Sequence, residues 1–411
     1  MSEPFDTMLS VEEACGRIRV IAAERAVRSE TVALEESFGR ILADDIAAPF
    51  DVPGYINSAM DGFAVRGDDL NASGETTLRL AGEIFAGGVE IPQVEKGTCV
   101  RITTGAPMPV DADTVVMKEN TRIDGESVVI ARGTAHGANV RPAGEDYAKD
   151  DAALRRGDFL TPSRVAVLAS FGYTHATVAA KPRAILFTTG DELTAPGNPL
   201  SYGRIYDSNR FSIGGLIEQY GARLVRHERL RDDPQVLIDA LKRAGAEGDI
   251  IVTSGGVSAG EADYLPRILA QIGKVYFWKV QIKPGMPFLF GQVGKALMFA
   301  LPGNPVSGIA TFLTLVAPAL RTMLGVKEAP SELFAQLSGP ISKRHGRAEF
   351  QRARIACSSD GQLFATVLAK QGSGMLRGAA DADALVVLPE GPREFAAGAV
   401  VPIIPMPGWQ V

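Results

Sequence analysis

Residues 249–264 read DIIVTSGGVSAGEADY, and the architecture of the chain turns on this stretch. Asp249 to Thr253 is a short apolar run rich in β-branched residues and closed by Ser-Gly-Gly, which predicts a buried strand ending in a glycine turn ahead of a helix. Adjacent glycines admit positive φ angles and let a ligand approach bare backbone. Ser254 and Ser258 add hydroxyls there, and Glu261 and Asp263 add carboxylates. Backbone N–H groups near a helix start favour an anion. Beside fixed carboxylates, such a cradle suits a phosphate that arrives with a hard divalent cation, because the cation offsets the repulsion. An isolated Gly-Gly more often only joins a strand to a helix, so the surrounding sequence has to decide.

Upstream, the pattern alternates. Ala184 to Phe187 reads as a strand ending in TTGDEL, Ser208 to Tyr220 as a helix after IYDSN, Leu224 to Leu230 as a strand and Pro234 to Ala244 as a helix. Alternation of this kind implies a doubly wound parallel sheet, whose ligands lie at the carboxyl ends of strands. Glu192, Asp207, Asp232 and the 254–263 segment all fall at such ends. The chain has no G-x-x-x-x-G-K-[ST] and no G-x-G-x-x-G opening a helix after a strand, which argues against a Walker ATPase or a standard dinucleotide enzyme. Downstream, YFWKVQIKPGMPFLFG (276–291) carries Lys283 at a Pro-Gly turn, and in FALPGNPVSG (299–308) Pro302 and Pro305 bracket a Gly-Asn turn ahead of a helix. A cation and a proline-stiffened loop beside the glycine turn suggest a second anion pocket.

Towards the N-terminus, Ser10 and Glu13 form a capping box for an amphipathic helix to about Arg25, and a second helical piece is expected around Glu35 to Leu42. These elements carry too little apolar surface to stand alone. PFDVPGYINSAMDGFAVRGDD (49–69) reads as an ordered loop holding Asp61, and residues 75–141 read as short strands between glycine and proline turns, with Asp124-Gly125 a hairpin signal. Thr104 and Asp146 sit on polar loops of the kind that carry ligand groups. Thr161-Pro162 starts a helix that closes at Gly172 and returns the chain to its N-terminal elements. From about Pro330 the chain reads as β again, and Lys343, Arg344, Arg347, Arg352 and Arg354 gather along what reads as a basic edge strand.

Composition narrows the class. A length of 411 residues implies several domains, and 46% hydrophobic against 22% charged residues describes a foldable chain. The net charge of -6 argues against nucleic acid as a partner. Cys15, Cys99 and Cys357 lie far apart, so neither a disulfide framework nor a zinc site is indicated. The N-terminus has no basic segment followed by an apolar one, and the chain reads as cytoplasmic with no membrane partner. Val306 to Leu320 is apolar but shorter than the roughly 20 residues of a bilayer span; a buried helix is expected.

NSAMDGFAV, RITTGAPMP, ADTVVMKE, RPAGEDY, TTGDEL, IYDSN, RDDP, SGGVSAGEADY, IKPGMPF, LPGNPVS, GRAEFQR and QGSGML occur in that order over nearly the whole chain. In this set and order the sequence resembles the molybdopterin molybdenumtransferase family, of the MoeA and gephyrin E-domain type. The resemblance implies a multidomain protein of α/β plus β class. Its parts are a discontinuous N-terminal domain (1–46 and 143–178), a β domain (47–142), a doubly wound, MogA-like α/β molybdopterin-binding domain (179–327) and a C-terminal β-barrel-like domain (328–411). It also implies a homodimer whose cleft lies between the α/β domain of one subunit and the β domain of the other.

The implied reaction takes adenylylated molybdopterin and molybdate as substrates, cleaves the phosphoanhydride with Mg2+ present and releases AMP and molybdenum cofactor. By motif position the resemblance carries catalytic roles to Asp61, Thr104, Asp146, Glu192, Asp232 and Asp263, with Glu192, Asp232 and Asp263 as Mg2+ ligands. Substrate binding is carried to Asp207, Ser254, Gly255, Gly256, Ser258, Lys283, Pro302, Pro305 and Arg347. Met286 stands where some family members have a second lysine, which removes a positive charge from the molybdate end. The histidines fall outside the motifs, so no histidine base is expected. Transient partners implied are molybdopterin adenylyltransferase and apo-molybdoenzymes. A non-catalytic molybdopterin-binding scaffold and a molybdopterin adenylyltransferase remain as alternatives.

Overall fold

The structure, a computed structural model, describes residues 6–257, 264–327 and 332–409. Its largest unit is a seven-stranded sheet in the spatial order Asp6–Leu9, Lys274–Val280, Leu289–Val293, Ala296–Leu301, Ile250–Ser254, Arg183–Thr189, Arg223–Leu230. The last four run parallel, while Leu289–Val293 is antiparallel to both neighbours. Alternate residues of the central strands serve two cores: Leu186, Val252 and Phe299 face one layer of helices, and Ile185, Phe187, Ile251 and Met298 face the other. Burial on both faces explains the unbroken apolar runs. Phe299 is fully buried, and Phe299→Ala would cost about 3–5 kcal/mol through lost contacts and the cavity left behind.

Residues 6–23 join this α/β unit. Asp6–Leu9 pairs in parallel with Lys274–Val280. The helix Val11–Ala23, with the Ser10–Glu13 capping box formed, buries Ala14, Ile18 and Ala22 in the same core as Leu315 and Leu320. The segment Pro305–Met323 is long and apolar enough to cross a membrane by length and composition, with mean hydropathy 1.4, but 83% of that window is buried inside the protein. It is a core helix with a π-helical middle at Phe312–Val316.

Ser29–Ala33 pairs antiparallel with His175–Ala179, and Ile46–Ala47 with Ala152–Leu154, so a small unit is built from two distant stretches around Leu34, Leu42, Leu160, Leu168 and Val178. The helix expected over Glu35–Leu42 is absent: a single 3₁₀ turn, Leu34–Glu36, is followed by Gly39 at φ +73°, and Ile41 and Leu42 bridge to Phe159 and Val178. Tertiary pairing there outcompetes a weak local helix preference. Between the two stretches lies a six-stranded sheet including Gly62–Val65, Thr76–Ile84, Thr98–Ile102 and Thr114–Met117.

The C-terminal strands Ala348–Cys357, Leu363–Val367, Leu333–Leu337, Val400–Pro405 and Ala384–Leu388 close into a barrel, because Ala348–Cys357 pairs with both Leu363–Val367 and Ala384–Leu388. The basic edge strand expected here is therefore an internal strand. Arg352 is 1% exposed, and its guanidinium donates to the carbonyls of Lys370, Gly372 and Met375; Lys343, 2% exposed, donates to the carbonyls of His345 and Gly391. Charges inside a fold persist only where such acceptors surround them. Ile282–Lys283, just past a strand of the large sheet, adds in parallel to the barrel at Ala348 and Glu349 and brings barrel and sheet together.

Candidate active site

At the carboxyl ends of the parallel strands lies a cleft of about 670 Å³. Thr188, Thr189, Gly190, Glu192, Asp207, Asn209, Asp232, Ser254, Gly255 and Gly256 line it, together with Pro302 and Pro305, which follow the neighbouring strand Ala296–Leu301. Gly255 (φ +101°) and Gly256 (φ +71°) make the glycine turn, and a Cβ on Gly255 would come within 2.6 Å of the Thr189 carbonyl. Gly255 does not complete the expected cradle of N–H donors, because its N–H is given to the Leu301 carbonyl at 3.0 Å. Its contribution is the bare surface beside Thr189.

The floor is polar and incompletely paired. Asn209 donates to Ser254 Oγ and to the Gly303 carbonyl, both at 2.7 Å, which leaves the Ser254 proton to point elsewhere. Among the described residues, Thr189 Oγ1 and Asn209 Oδ1 are buried with no hydrogen-bond partner. Buried polar atoms are nearly always paired, so these two mark where a ligand's polar groups belong. Asp207 lies deeper. It accepts hydrogen bonds from Thr188 Oγ1 at 2.6 Å and from the Arg210 N–H at 3.1 Å. His227 Nε2 stands 3.1 Å from the same hydroxyl and 3.7 Å from Asp207 Oδ2. Burial, outweighing the pull of Asp207, holds the His227 pKa below its ordinary value.

Glu192 and Asp232 form the acidic rim. The Asp232 carboxyl is pushed up from its ordinary value first by burial, then by the charges of Asp191 and Glu192. Among the described residues no three His, Cys, Asp or Glu side chains form a metal-holding group. Asp263, expected as the third carboxylate, lies outside the described residues, as do Ser258 and Glu261.

A second cavity, about 420 Å³, opens beside the cleft and shares Pro287, Pro302 and Asn304 with it. Lys283, Met286, Arg347, Glu349 and the loop Gln371–Ser373 line it. Arg347 makes no ion pair or hydrogen bond among the described residues. Lys283, expected at the anion-binding end, is paired within the chain: Nζ lies 2.9 Å from Glu349 Oε1 and 3.1 Å from His345 Nε2. Met286, half-buried, lines the same cavity as an uncharged thioether. The loop is fixed by Arg352 and by Gln371, and the Ser373 carbonyl accepts the Val306 N–H at the start of the core helix.

The β-domain residues stand apart within one chain. Thr104 gives both its N–H (2.8 Å) and its hydroxyl (2.9 Å) to Asp61 Oδ1, and Lys118 Nζ lies 3.7 Å from Asp61 Oδ2. These hydrogen bonds from Thr104, with a smaller contribution from Lys118, hold the Asp61 carboxyl below its ordinary value. Asp61 lines its own cavity of about 270 Å³, which shares no residue with the cleft. Asp146 lies on an exposed loop, its N–H donated to the Val52 carbonyl. His227 and His345 fall outside the quoted motifs, whereas Asn209 lies within IYDSN and Glu349 within GRAEFQR, where the motifs assign them no role. Strand register sets His227 opposite Leu186 and Glu349 opposite Lys283.

Three family models match the chain: the MoeA N-terminal region (domain I and II) over residues 9–172, a probable molybdopterin binding domain over 185–322, and the MoeA C-terminal region (domain IV) over 335–406. The molybdopterin molybdenumtransferase of Haemophilus influenzae is 36% identical over 381 residues, 92% of this chain and 94% of its own length. That of Staphylococcus epidermidis is 34% identical over 411 residues, 98% and 97% of the two chains. The crystal structure of the molybdopterin biosynthesis MoeA protein from Pyrococcus horikoshii OT3 superposes with a TM-score of 0.83 at 29% identity, covering 97% of this chain and 99% of that one. With the family models spanning nearly its whole length and these relatives matching end to end, the chain belongs to the molybdopterin molybdenumtransferase family of molybdenum cofactor biosynthesis.

Proposed function

We propose that the large cleft takes adenylylated molybdopterin, that molybdate enters through the adjoining cationic cavity, and that the phosphoanhydride is cleaved with Mg2+ present to release AMP and molybdenum cofactor. One observation carries this reading: an acid-rimmed cleft with unpaired buried polar atoms runs directly into a cavity holding Arg347 and Lys283. The first suits a phosphorylated ligand that arrives with a cation, and the second a small dianion.

The chain's own groups divide the work. Thr189 Oγ1 and the Ser254 hydroxyl donate to phosphate oxygens across the bare Gly255 surface, while Asn209 Oδ1 accepts from a ligand N–H. Pro302 and Pro305 fix the wall against which the ligand lies. Glu192 and Asp232 fit a hard divalent cation: both are oxygen donors in one cleft, and the crowding that pushes Asp232 up is relieved by positive charge. Bound there, magnesium supplies charge neutralisation on the phosphates and on the departing AMP.

On the same reading the protein works as a homodimer, in which Asp61 and Thr104 of one copy, with Asp146 from the adjacent loop, approach the cleft of the other. The support is that their cavity shares no lining residue with the cleft of the same chain, together with the ordering of the exposed Asp61 by Thr104. Mixing Asp61→Ala with Asp232→Asn chains tests this: restored turnover in mixed dimers is expected, and none would remove the shared-cleft reading.

Purified adenylylated molybdopterin, molybdate and magnesium, assayed for AMP and for reconstitution of an apo-molybdoenzyme together, test the reaction. Both signals should appear and both should vanish with EDTA. Ligand binding without AMP release would replace the transferase cycle with simple molybdopterin binding.

A further inference from the structure

His345 is placed between two groups with opposite demands. Its Nε2 lies 3.1 Å from Lys283 Nζ and 3.1 Å from Glu349 Oε2, while Glu349 Oε1 lies 2.9 Å from the same Lys283 Nζ. An ammonium only donates and an ionised carboxylate only accepts, so one imidazole nitrogen cannot satisfy both at once. Unprotonated, Nε2 accepts from Lys283 and faces Glu349 with a lone pair. Protonated, it donates to Glu349 and releases Lys283.

We infer that His345 is a positioning residue that couples anion capture in this cavity to uptake of one proton. This rests on the reading of the Lys283–Arg347 cavity as the oxyanion end. Before the anion binds, Lys283 is shared by Glu349 and His345, while Arg347 has no ion-pair or hydrogen-bond partner among the described residues. When a dianion settles between Arg347 and Lys283, its field favours the imidazolium. The proton goes to His345 Nε2, the imidazolium replaces Lys283 as the partner of Glu349, and the ammonium turns to the anion.

The surroundings bias the free protein towards the unprotonated form. Burial acts first, then the Lys283 charge, with Glu349 opposing and Lys343 adding to the depression, and the pKa of His345 lies below its ordinary value. Arg344 and Arg347 flank it in sequence, and Glu390 lies close enough to act on Lys343. Glu349 is buried and ionised: burial pushes it up, but the hydrogen bond and charge of Lys283, with Gln351 and His345, outweigh burial and lower it. Among the described residues His345 Nδ1 has no partner, so the approach of the Lys283 ammonium to Nε2 selects the Nδ1–H tautomer, and it is from this neutral form that protonation at Nε2 takes up one proton.

The test uses the full-length protein and sodium molybdate as the probe. Titration calorimetry in two buffers of different ionisation enthalpy, between about pH 6.5 and about pH 8, reads proton uptake directly. The expected result is uptake approaching one proton and an affinity that weakens by up to roughly tenfold per pH unit as pH rises. His345→Gln should abolish the uptake and flatten the affinity to within about twofold across the range. The four histidines also permit an NMR titration in which the His345 pKa rises on adding molybdate. Binding with no proton uptake in wild type, or uptake that persists in His345→Gln, overturns the inference alone. Absent binding, or binding that Arg347→Gln leaves unweakened, overturns the cavity reading and the inference with it.

Discussion

The acidic and cationic ends of the site are built in different ways. Glu192 and Asp232 follow strands of one sheet, whose neighbouring members are fixed by ladder hydrogen bonds and two packed cores. The cationic end is assembled across a seam, with Lys283 from the sheet side, Arg347 and Glu349 from the barrel, and Gln371 to Ser373 from a loop that Arg352 holds. The first arrangement crowds like charges; the second balances opposite ones. On the proposed reading a cation relieves the first and an anion rearranges the second. Chemistry is expected to fail when the first end is altered, and affinity when the second is.

The largest effect belongs to the acidic end. Glu192→Gln or Asp232→Asn should lower the AMP-release rate by roughly 10²- to 10³-fold, read in a single-turnover assay, with molybdate affinity unchanged. The pH dependence has a definite sign. Because the Asp232 pKa is raised, a proton competes with the cation at higher pH than at an ordinary carboxylate, so half-saturating magnesium should climb as pH falls. Asp232→Asn should remove that slope. The same shift makes ionised Asp232 a cost to the free fold as pH rises through its folded pKa, so Asp232→Asn should gain slightly in thermal stability at neutral pH.

Next comes Lys283→Gln. It leaves the buried Glu349 carboxylate without its ammonium, and a loss of about 2 kcal/mol of stability is expected in denaturant unfolding, beside weaker molybdate binding. Arg347→Gln separates the two ends more cleanly. With no partner to lose among the described residues, it should leave stability alone and raise half-saturating molybdate roughly tenfold. Thr189→Val removes a buried hydroxyl that has no partner among the described residues, so melting should hold or rise while ligand affinity drops by about 1 kcal/mol. The smallest change is a gain: Met286→Lys should tighten molybdate binding by roughly threefold, seen in calorimetry.

The contrast also explains what the sequence reveals. Strand ends and glycine turns of the α/β unit are local patterns, so the runs at 184–187 and 249–253 and the acids behind them can be read directly. The capping box at Ser10 is equally local, and it formed. The cationic end depends on contacts between residues more than 60 positions apart, Lys283 with His345 and Glu349, which no periodicity encodes. Arg352 was read as a surface charge because a sequence displays the guanidinium but not the carbonyls at 370, 372 and 375 that surround it. The failed helix at 35–42 has the same origin, since its backbone partners lie at Phe159 and Val178.

The most direct measurement titrates AMP release against magnesium and molybdate independently, in wild type, Glu192→Gln and Arg347→Gln. The account predicts that Glu192→Gln shifts only the magnesium response and the rate, and that Arg347→Gln shifts only the molybdate response. If Arg347→Gln moved the magnesium curve, or Glu192→Gln the molybdate curve, by as much as its own, the division of the site into two ends would be contradicted.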